Sequence, residues 1–309
     1  MGGRMLIIGE NITIGTDAVL DAVEERNAEV IQRKAISQVE HGAHMLDLNI
    51  GPQKRRGVEV MEWIVDAVQE VVDVPLCLDT TNVAALEAGL KRCKKQAMLN
   101  SASANPERLE SVMPLAAKYN AKVIALTMKK SVPPTAEGRA NLVMEVLIPK
   151  AMELGIPMGD LYLDPLLLTV QGMQDYAPHT LEALRYFKQL ADPPPMTVVG
   201  LSNVSSNIPW EHRSLINRTY LVMLVAAGLD AAIANPLDDE QNEFIRIVEE
   251  RDESTPTGRL LVNLHNAIAA MEDVDPSLVD MDDPQQAAIW KTVQILENKV
   301  IYAAGYLRM

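Results

Sequence analysis

Short apolar runs alternate with helical patterns along this 309-residue chain, and each run ends at a polar residue. An apolar run of strand length followed by a helix with period 3.6 is typical of a βα unit. The runs are Arg4–Gly9, His44–Leu48, Val74–Leu78, Gln96–Leu99, Lys122–Leu126, Asp160–Leu163, Met196–Leu201 and Asp230–Ala234. Eight such units predict a (β/α)₈ barrel, also called a TIM barrel, whose active site lies at the carboxyl ends of the strands.

The segments between the runs have the spacing of amphipathic helices that cover a sheet. They are Asn27–His41, Val58–Val71, Asn82–Lys94, Asn105–Tyr119, Gly138–Leu154, Thr180–Leu190 and Arg213–Ala227. The alternation stops after Pro236, and residues 242–284 are rich in Asp and Glu, with one helical stretch at Arg259–Met271. We therefore predict a single domain over residues 1–309, with an acidic insertion at 242–284 between strand 8 and a final helix at Gln285–Ala303.

The composition disfavours several classes of function. A formal net charge of −14 opposes non-specific binding to nucleic acid or to an anionic membrane. Aromatic residues make up 4% of the chain, too few for a base-stacking platform. Cys77 and Cys93 have no metal-binding spacing, so we interpret them as buried free thiols of a reducing compartment. No run reaches the roughly 18 apolar residues of a membrane span, and we predict a cytoplasmic protein.

Three polar residues end strands 3, 4 and 6: Asp79, Asn100 and Asp164. A barrel would bring them together at its mouth, where they suit a flat heterocycle such as a reduced pterin. Carboxylates accept from its amino and N–H groups, and an amide both donates and accepts. The alternative is that they cap helices, since Asp79 and Asn100 precede helix starts. Their shared position at strand ends favours the pterin site.

Further polar residues end strands 1, 2 and 7. They are Glu10, Asn11, Asp47, Asn49, Ser202 and Asn203. Such residues either bond the ligand directly or hold the side chains that do, and for Asp47 we favour the supporting role. The basic turn Lys54–Arg56 could hold a carboxylate tail, although a solvated turn is the simpler interpretation. The His and Cys residues have no metal-ligand spacing, so we predict no bound metal.

Seven segments resemble the methyltetrahydrofolate–corrinoid methyltransferases of the pterin-binding barrel superfamily. They are Met5–Asn11, Met45–Pro52, Leu76–Asn82, Ala97–Ser101, Asp160–Pro165, Val199–Ser205 and Leu215–Thr219. The resemblance implies that Asp79, Asn100 and Asp164 bind the pterin and that Arg213, which falls in the loop after strand 7, also binds the folate. It also implies that Asn203 bonds near N5 of tetrahydrofolate or 5-methyltetrahydrofolate. That makes Asn203 the candidate catalytic residue, because a positioned partner favours N5 protonation in the transition state.

The resemblance further implies a homodimer and a corrinoid partner protein. The chain has no D-x-H-x-x-G corrinoid-binding motif, so the cobalt is expected to arrive on that partner. Ser206 stands where the methyltransferase of the acetyl-CoA pathway has Gln, the loop Ile208–His212 is longer, and that enzyme lacks the acidic insertion. These departures favour transfer from a methylated corrinoid protein to tetrahydrofolate in a demethylating system.

Four alternatives remain open at this stage. One is transfer from methyltetrahydrofolate to a corrinoid iron–sulfur protein in acetyl-CoA synthesis. Dihydropteroate synthase shares the barrel but needs cations for pyrophosphate, whereas strand 7 here ends in Gly-Leu-Ser-Asn. The pterin module of methionine synthase would be tethered to zinc and corrinoid modules. A non-catalytic folate-binding protein would bind folate without exchanging methyl groups with a corrinoid.

Overall fold

The computed structural model describes residues 5–307, in which eight parallel strands close into a barrel in chain order. The strands are β1 Leu6–Thr13, β2 Met45–Asn49, β3 Leu76–Asp79, β4 Met98–Ser103, β5 Lys122–Leu126, β6 Leu161–Asp164, β7 Met196–Gly200 and β8 Ala231–Ala234. The predicted (β/α)₈ barrel is confirmed. Arg4, where the sequence predicts the first strand to begin, lies outside the described residues.

Helices follow the strands and pack around the barrel. They are α1 Asp17–Glu25, α2 Ala28–Glu40, α3 Gly57–Gln69, α4 Val83–Arg92, α5 Pro106–Lys118, α6 Ala136–Leu142, α7 Ile148–Glu153, α8 Val170–Met173, α9 Tyr176–Phe187, α10 Trp210–Ala226, α11 Asp239–Glu250, α12 Pro256–Ala270, α13 Pro284–Leu296 and α14 Ala304–Leu307. The predicted helix Gly138–Leu154 is broken into α6 and α7 by a π-helical turn at Val143–Leu147. The turn precedes Pro149, which has no N–H for a regular helical bond.

The barrel interior is filled by one layer of apolar side chains. Its members are Ile8, Met45, Cys77, Met98, Ile124, Tyr162, Val198 and Ala231. Side chains two positions further along a strand face the same way. The residues two positions beyond this layer on β2, β3, β4 and β6 are Asp47, Asp79, Asn100 and Asp164. An apolar floor therefore carries a polar layer at the mouth of the barrel.

Both cysteines are free thiols. Cys77 is buried in the interior layer, as predicted. Cys93 is half-buried rather than buried, because it directly follows the last turn of α4 near the surface.

Two strands continue beyond the polar residue where the sequence predicts them to end. The pairing of β1 with β2 shifts register between Gly9 and Ile12, and that of β4 with β5 shifts between Asn100 and Ala102. Register shifts of this kind bend a strand and change the direction of its side chains. Both shifts lie at the mouth, so they shape the site and not the floor.

The acidic segment 242–284 is largely helical in the structure. Most of α11 and all of α12 lie in it, and they contribute Phe244, Ile247, Leu261 and Leu264 to the apolar cluster that also contains α10. The segment thus packs into the helical layer of the barrel. Within residues 5–307, no helix combines the length and the apolar character that a bilayer span requires.

Candidate active site

A cavity of about 580 Å³ opens at the carboxyl ends of the strands, a volume typical of small-molecule sites. The predicted site residues that line it are Glu10, Asn11, Asp47, Asn49, Asp79, Asn100, Asp164, Ser202 and Asn203. Arg213 does not line the cavity. It is exposed on the first turn of α10, where its Nε donates to the carbonyl of Ile208 at 2.8 Å. Because Arg213 is not part of the cavity lining, its role in ligand binding stays a prediction.

One row of polar side chains crosses three adjacent strands. Asn49, Asp79 and Asn100 occupy matching positions on β2, β3 and β4. The Asn49 amide donates to Oδ2 of Asp79 at 2.6 Å, and its oxygen accepts from the N–H of Gly51 at 2.9 Å. These two hydrogen bonds fix the Asn49 side chain. The bond to Asp79 uses only its Oδ2, so its Oδ1 is available to a ligand.

Asp47 lies one step deeper and supports this row from below. It is only 3% exposed, and its Oδ1 faces the Asn100 amide nitrogen at 3.4 Å. Burial, and then the nearby charge of Asp79, raise the pKa of Asp47 well above its usual range. With its nitrogen turned towards Asp47, Asn100 presents its amide oxygen to the cavity. This contact favours the supporting role that the sequence predicts for Asp47.

Asp164 faces the row from the far side of the barrel. The N–H of Leu166 donates to its Oδ1 at 2.7 Å, while no described residue bonds Oδ2. Burial raises the pKa of Asp164 to about 7, although the Leu166 N–H and the buried Arg139 guanidinium lower it in part. Burial likewise raises the pKa of Asp79 to about 6, against the opposing effect of Arg108. Both carboxyl groups therefore titrate near neutral pH.

Hydrogen bonds tie β1 to the segments that follow β7 and β8 at the mouth. Ser202 donates to Oε2 of Glu10 at 3.0 Å, and Asn11 donates to the side-chain oxygen of Asn235 at 2.6 Å. Burial raises the pKa of Glu10 to about 7, with Ser202 lowering it in part. The Asn11 amide is thus engaged in closing the barrel between β1 and β8.

Asn203 differs from the other amides of the site. It lies on a 3₁₀ turn, Leu201–Ser205, that directly follows β7. Its side chain lines the cavity and makes no hydrogen bond to the residues that the structure describes. A Cβ on Gly200 would lie 2.8 Å from its Nδ2, so glycine at that position gives the amide its room. Asn203 therefore offers a free donor and acceptor at the edge of the cavity.

The sequence reasoning missed two cations that shape the site. Lys34, on α2, lines the cavity. Arg108, on α5, donates to the carbonyls of Thr80, Thr81 and Ser101, and so holds the loop after β3 against β4. Both residues lie on helices, so a pattern of polar residues at strand ends does not predict them. The turn Lys54–Arg56, by contrast, does not line the cavity.

Within residues 5–307, no group of three or more His, Cys, Asp or Glu side chains is arranged to hold a metal ion. The carboxyl groups at the barrel mouth are thus spread around the cavity without forming a coordination set.

Residues 11–235 match the family described as pterin binding enzyme. Over 235 residues the chain is 27% identical to a methylcorrinoid:tetrahydrofolate methyltransferase of Eubacterium limosum, covering 75% of this chain and 85% of that protein. It is 26% identical over 298 residues to the methionine synthase of Mycobacterium tuberculosis. That match covers 90% of this chain but only 25% of the methionine synthase.

Solved structures of dihydropteroate synthases share the fold. A Yersinia pestis enzyme superposes with a TM-score of 0.59 at 16% identity, over 81% of this chain and 95% of that one. A Thermus thermophilus enzyme gives a TM-score of 0.55 at 21% identity, over 80% and 94% of the two chains. At these identities the likeness concerns the barrel alone.

Proposed function

Because this chain belongs to the family of pterin-binding enzymes, we propose that it transfers a methyl group between N5 of tetrahydrofolate and the cobalt of a corrinoid carried by a separate protein. The direction we favour runs from the methylated corrinoid protein to tetrahydrofolate, the reaction that names the Eubacterium limosum relative. The observation that carries the proposal is the polar layer at the barrel mouth, which presents free carboxylate and amide atoms beside the unbonded amide of Asn203.

In this proposal Asp79, Asn100 and Asp164 bind the pterin ring. The free Oδ1 of Asp79 and Oδ2 of Asp164 accept from its amino and N–H groups, and Asn100 offers an amide oxygen. Asn49 holds Asp79 and Asp47 holds Asn100. The bonds of Ser202 to Glu10 and of Asn11 to Asn235 hold β1 to the segments that follow β7 and β8. The ligand-binding atoms are thus fixed before the ligand arrives, which lowers the entropic cost of binding.

Asn203 is the proposed catalytic residue. In the favoured direction the N5 lone pair attacks the methyl carbon, the carbon–cobalt bond breaks with its electron pair remaining on cobalt, and N5 releases its proton to water. In reverse, N5 must gain a proton before it can leave the methyl group. An amide that bonds N5 orients its lone pair in one direction and favours its protonation in the other. Asn203 is exposed at the mouth, where a methyl donor on another protein can approach.

The charges that line the cavity support methyl transfer over dihydropteroate synthesis. Among the described lining residues, Glu10, Asp47, Asp79 and Asp164 face a single cation, Lys34. A departing pyrophosphate carries several negative charges, and one cation among the described lining residues compensates few of them. A methyl group carries no such charge.

Anaerobic methyl exchange tests the proposal. The chain is mixed with methylcobalamin and tetrahydrofolate, and cobalt absorbance and 5-methyltetrahydrofolate are followed together. We expect 5-methyltetrahydrofolate to form only when the chain is present, and the reverse mixture with cob(I)alamin to lose its Co(I) spectrum. Tight folate binding without methyl exchange would identify a folate carrier. Condensation of a dihydropterin pyrophosphate with p-aminobenzoate would identify a dihydropteroate synthase.

A further inference from the structure

Lys34 is the one cation among the described residues that line the cavity. It is half-buried on α2, and no carboxylate of the described residues pairs with it. Lysines elsewhere on this acidic chain do form ion pairs, among them Lys118 with Glu87 and Lys122 with Asp160. An unpaired ammonium beside a cavity of acidic character is available to a negatively charged group of the ligand.

Two hydrogen bonds fix the turn of α2 that carries Lys34. The Gln38 amide donates to the Lys34 carbonyl at 3.3 Å, and its oxygen accepts from the N–H of Asn11 at 2.9 Å. Asn11 lies in the register shift of β1 at the barrel mouth. Lys34 is thus held at the β1 side of the cavity, where Thr13 and Thr16 also line it.

The proposed ligand has two parts with opposite electrostatic needs. The pterin ring is uncharged and rich in N–H donors, which the carboxyl groups of the polar layer can accept. The p-aminobenzoyl-glutamate tail ends in two carboxylates, which those same carboxyl groups repel. The tail must therefore leave the floor of the cavity along a route where a cation compensates its charge.

Resting on the proposed function, we infer that Lys34 binds the glutamate carboxylates of tetrahydrofolate and makes the site selective for folates over pterins without a tail. The tail leaves the ring over β1, past Thr13 and Thr16, which line the cavity on that side. The exposed turn Lys54–Arg56 plays no part in tail binding, because it lies outside the cavity lining.

Ligand binding with and without the tail tests this inference. Anaerobic calorimetry compares tetrahydrofolate with 6-methyltetrahydropterin, which has the ring but no glutamate. The proteins are the unaltered chain, Lys34→Met, Lys34→Arg and the matched control Lys54→Met, each checked for native thermal unfolding. We expect Lys34→Met to weaken tetrahydrofolate binding about twofold to fivefold, the range of a partly exposed ion pair. Its affinity for 6-methyltetrahydropterin should stay unchanged, and Lys34→Arg should restore the preference.

Salt provides a second readout, since screening weakens a partly exposed ion pair. Added salt should reduce the ratio of tetrahydrofolate affinity to 6-methyltetrahydropterin affinity in the unaltered chain. The same ratio in Lys34→Met should not change with salt. Equal losses for both ligands would make Lys34 a structural residue, and a selective loss in Lys54→Met would move the tail to the basic turn. Either result overturns the inference and leaves the proposed function standing. If the unaltered chain binds neither ligand, the proposed function itself fails, and this inference with it.

Discussion

At the scale of single residues, Asn203 is the side chain whose proposed role is most specific. Its bond to N5 would strengthen as that nitrogen gains or loses a proton, so its contribution belongs to the transition state. We expect Asn203→Ala to lower kcat about tenfold or more, as for a lost bond of ~1.4 kcal/mol, while folate affinity falls less. Stopped-flow cobalt spectra in both directions measure this, since forward and reverse transfer share one transition state.

The control for that variant is Ser206→Ala on the same loop. Ser206 does not line the cavity, and its hydroxyl only reaches the Ser202 carbonyl at 3.5 Å. Its methyl transfer should therefore match the unaltered chain. If Asn203→Ala lost affinity and rate in equal measure, Asn203 would be a plain binding residue and another group would manage the N5 proton.

The proposed role of Asp164 links ligand binding to pH. Burial raises its pKa to about 7, and because its Oδ1 accepts from the Leu166 N–H, its Oδ2 can accept from a pterin N–H group only when the carboxyl group is ionised. Binding to the ionised form must therefore release a proton at low pH, so folate affinity should rise as pH increases from about 6 to 8. Asp164→Asn should cost about 1–3 kcal/mol of binding at high pH and flatten this rise. Calorimetry in buffers of different ionisation enthalpy counts the released protons, and a parallel pH profile in the variant would point to another group.

At the scale of elements, the polar residues at the strand ends were enough to predict most of the fold and most of the cavity lining from the sequence. The apolar runs that form the barrel wall each end where the strand reaches the mouth and the chain can carry a polar residue. Asp79, Asn100 and Asp164 were therefore identifiable from the sequence as neighbours. Lys34 and Arg108 were not, because a helical residue reaches the mouth only through the angle at which its helix packs, which no local pattern encodes. The register shifts in β1 and β4 were not predicted from the sequence either, because a bulge depends on how two strands pair and not on one segment alone.

Gly200 shows how the end of one strand controls a neighbouring side chain. It closes β7, and an added Cβ would lie 2.8 Å from Nδ2 of Asn203, closer than real contacts allow. Gly200→Ala should therefore displace the Asn203 amide while leaving Asp79 and Asp164 untouched. We expect slower methyl transfer with nearly native folate affinity and thermal stability, a pattern like that of Asn203→Ala. Combining the two substitutions should add little further loss, because both remove the same contact. Independent, additive losses in the double variant would contradict this coupling.

At the scale of the whole molecule, the apolar surface bears on assembly. Met152, at the end of α7, is 69% exposed, and Met271, directly after α12, is 77% exposed. A helix that directly follows a strand runs back against it, so Met152 lies at the end of the barrel opposite the mouth. A homodimer that buries this end would leave both mouths open to a corrinoid partner. Sedimentation velocity should show a dimer at micromolar concentration, and a lone 34.0 kDa species would count against it.

The chemistry of the whole protein should not depend on a metal held by this chain. Zinc is needed where a thiol must be made nucleophilic, and such sites present three or four Cys, His or carboxylate ligands to one point. The N5 amine of tetrahydrofolate is a nucleophile without such help, and the carboxyl groups of the mouth are each engaged separately, Asp79 with Asn49, Glu10 with Ser202 and Asp164 with the Leu166 N–H. Dialysis against a chelator should therefore leave the rate of methyl exchange with methylcobalamin unchanged, measured against an undialysed sample with equal folate. A loss of rate that added zinc restores would show that these carboxyl groups rearrange around an ion, and the assignment of Asp79 and Asp164 as direct pterin acceptors would then have to be given up.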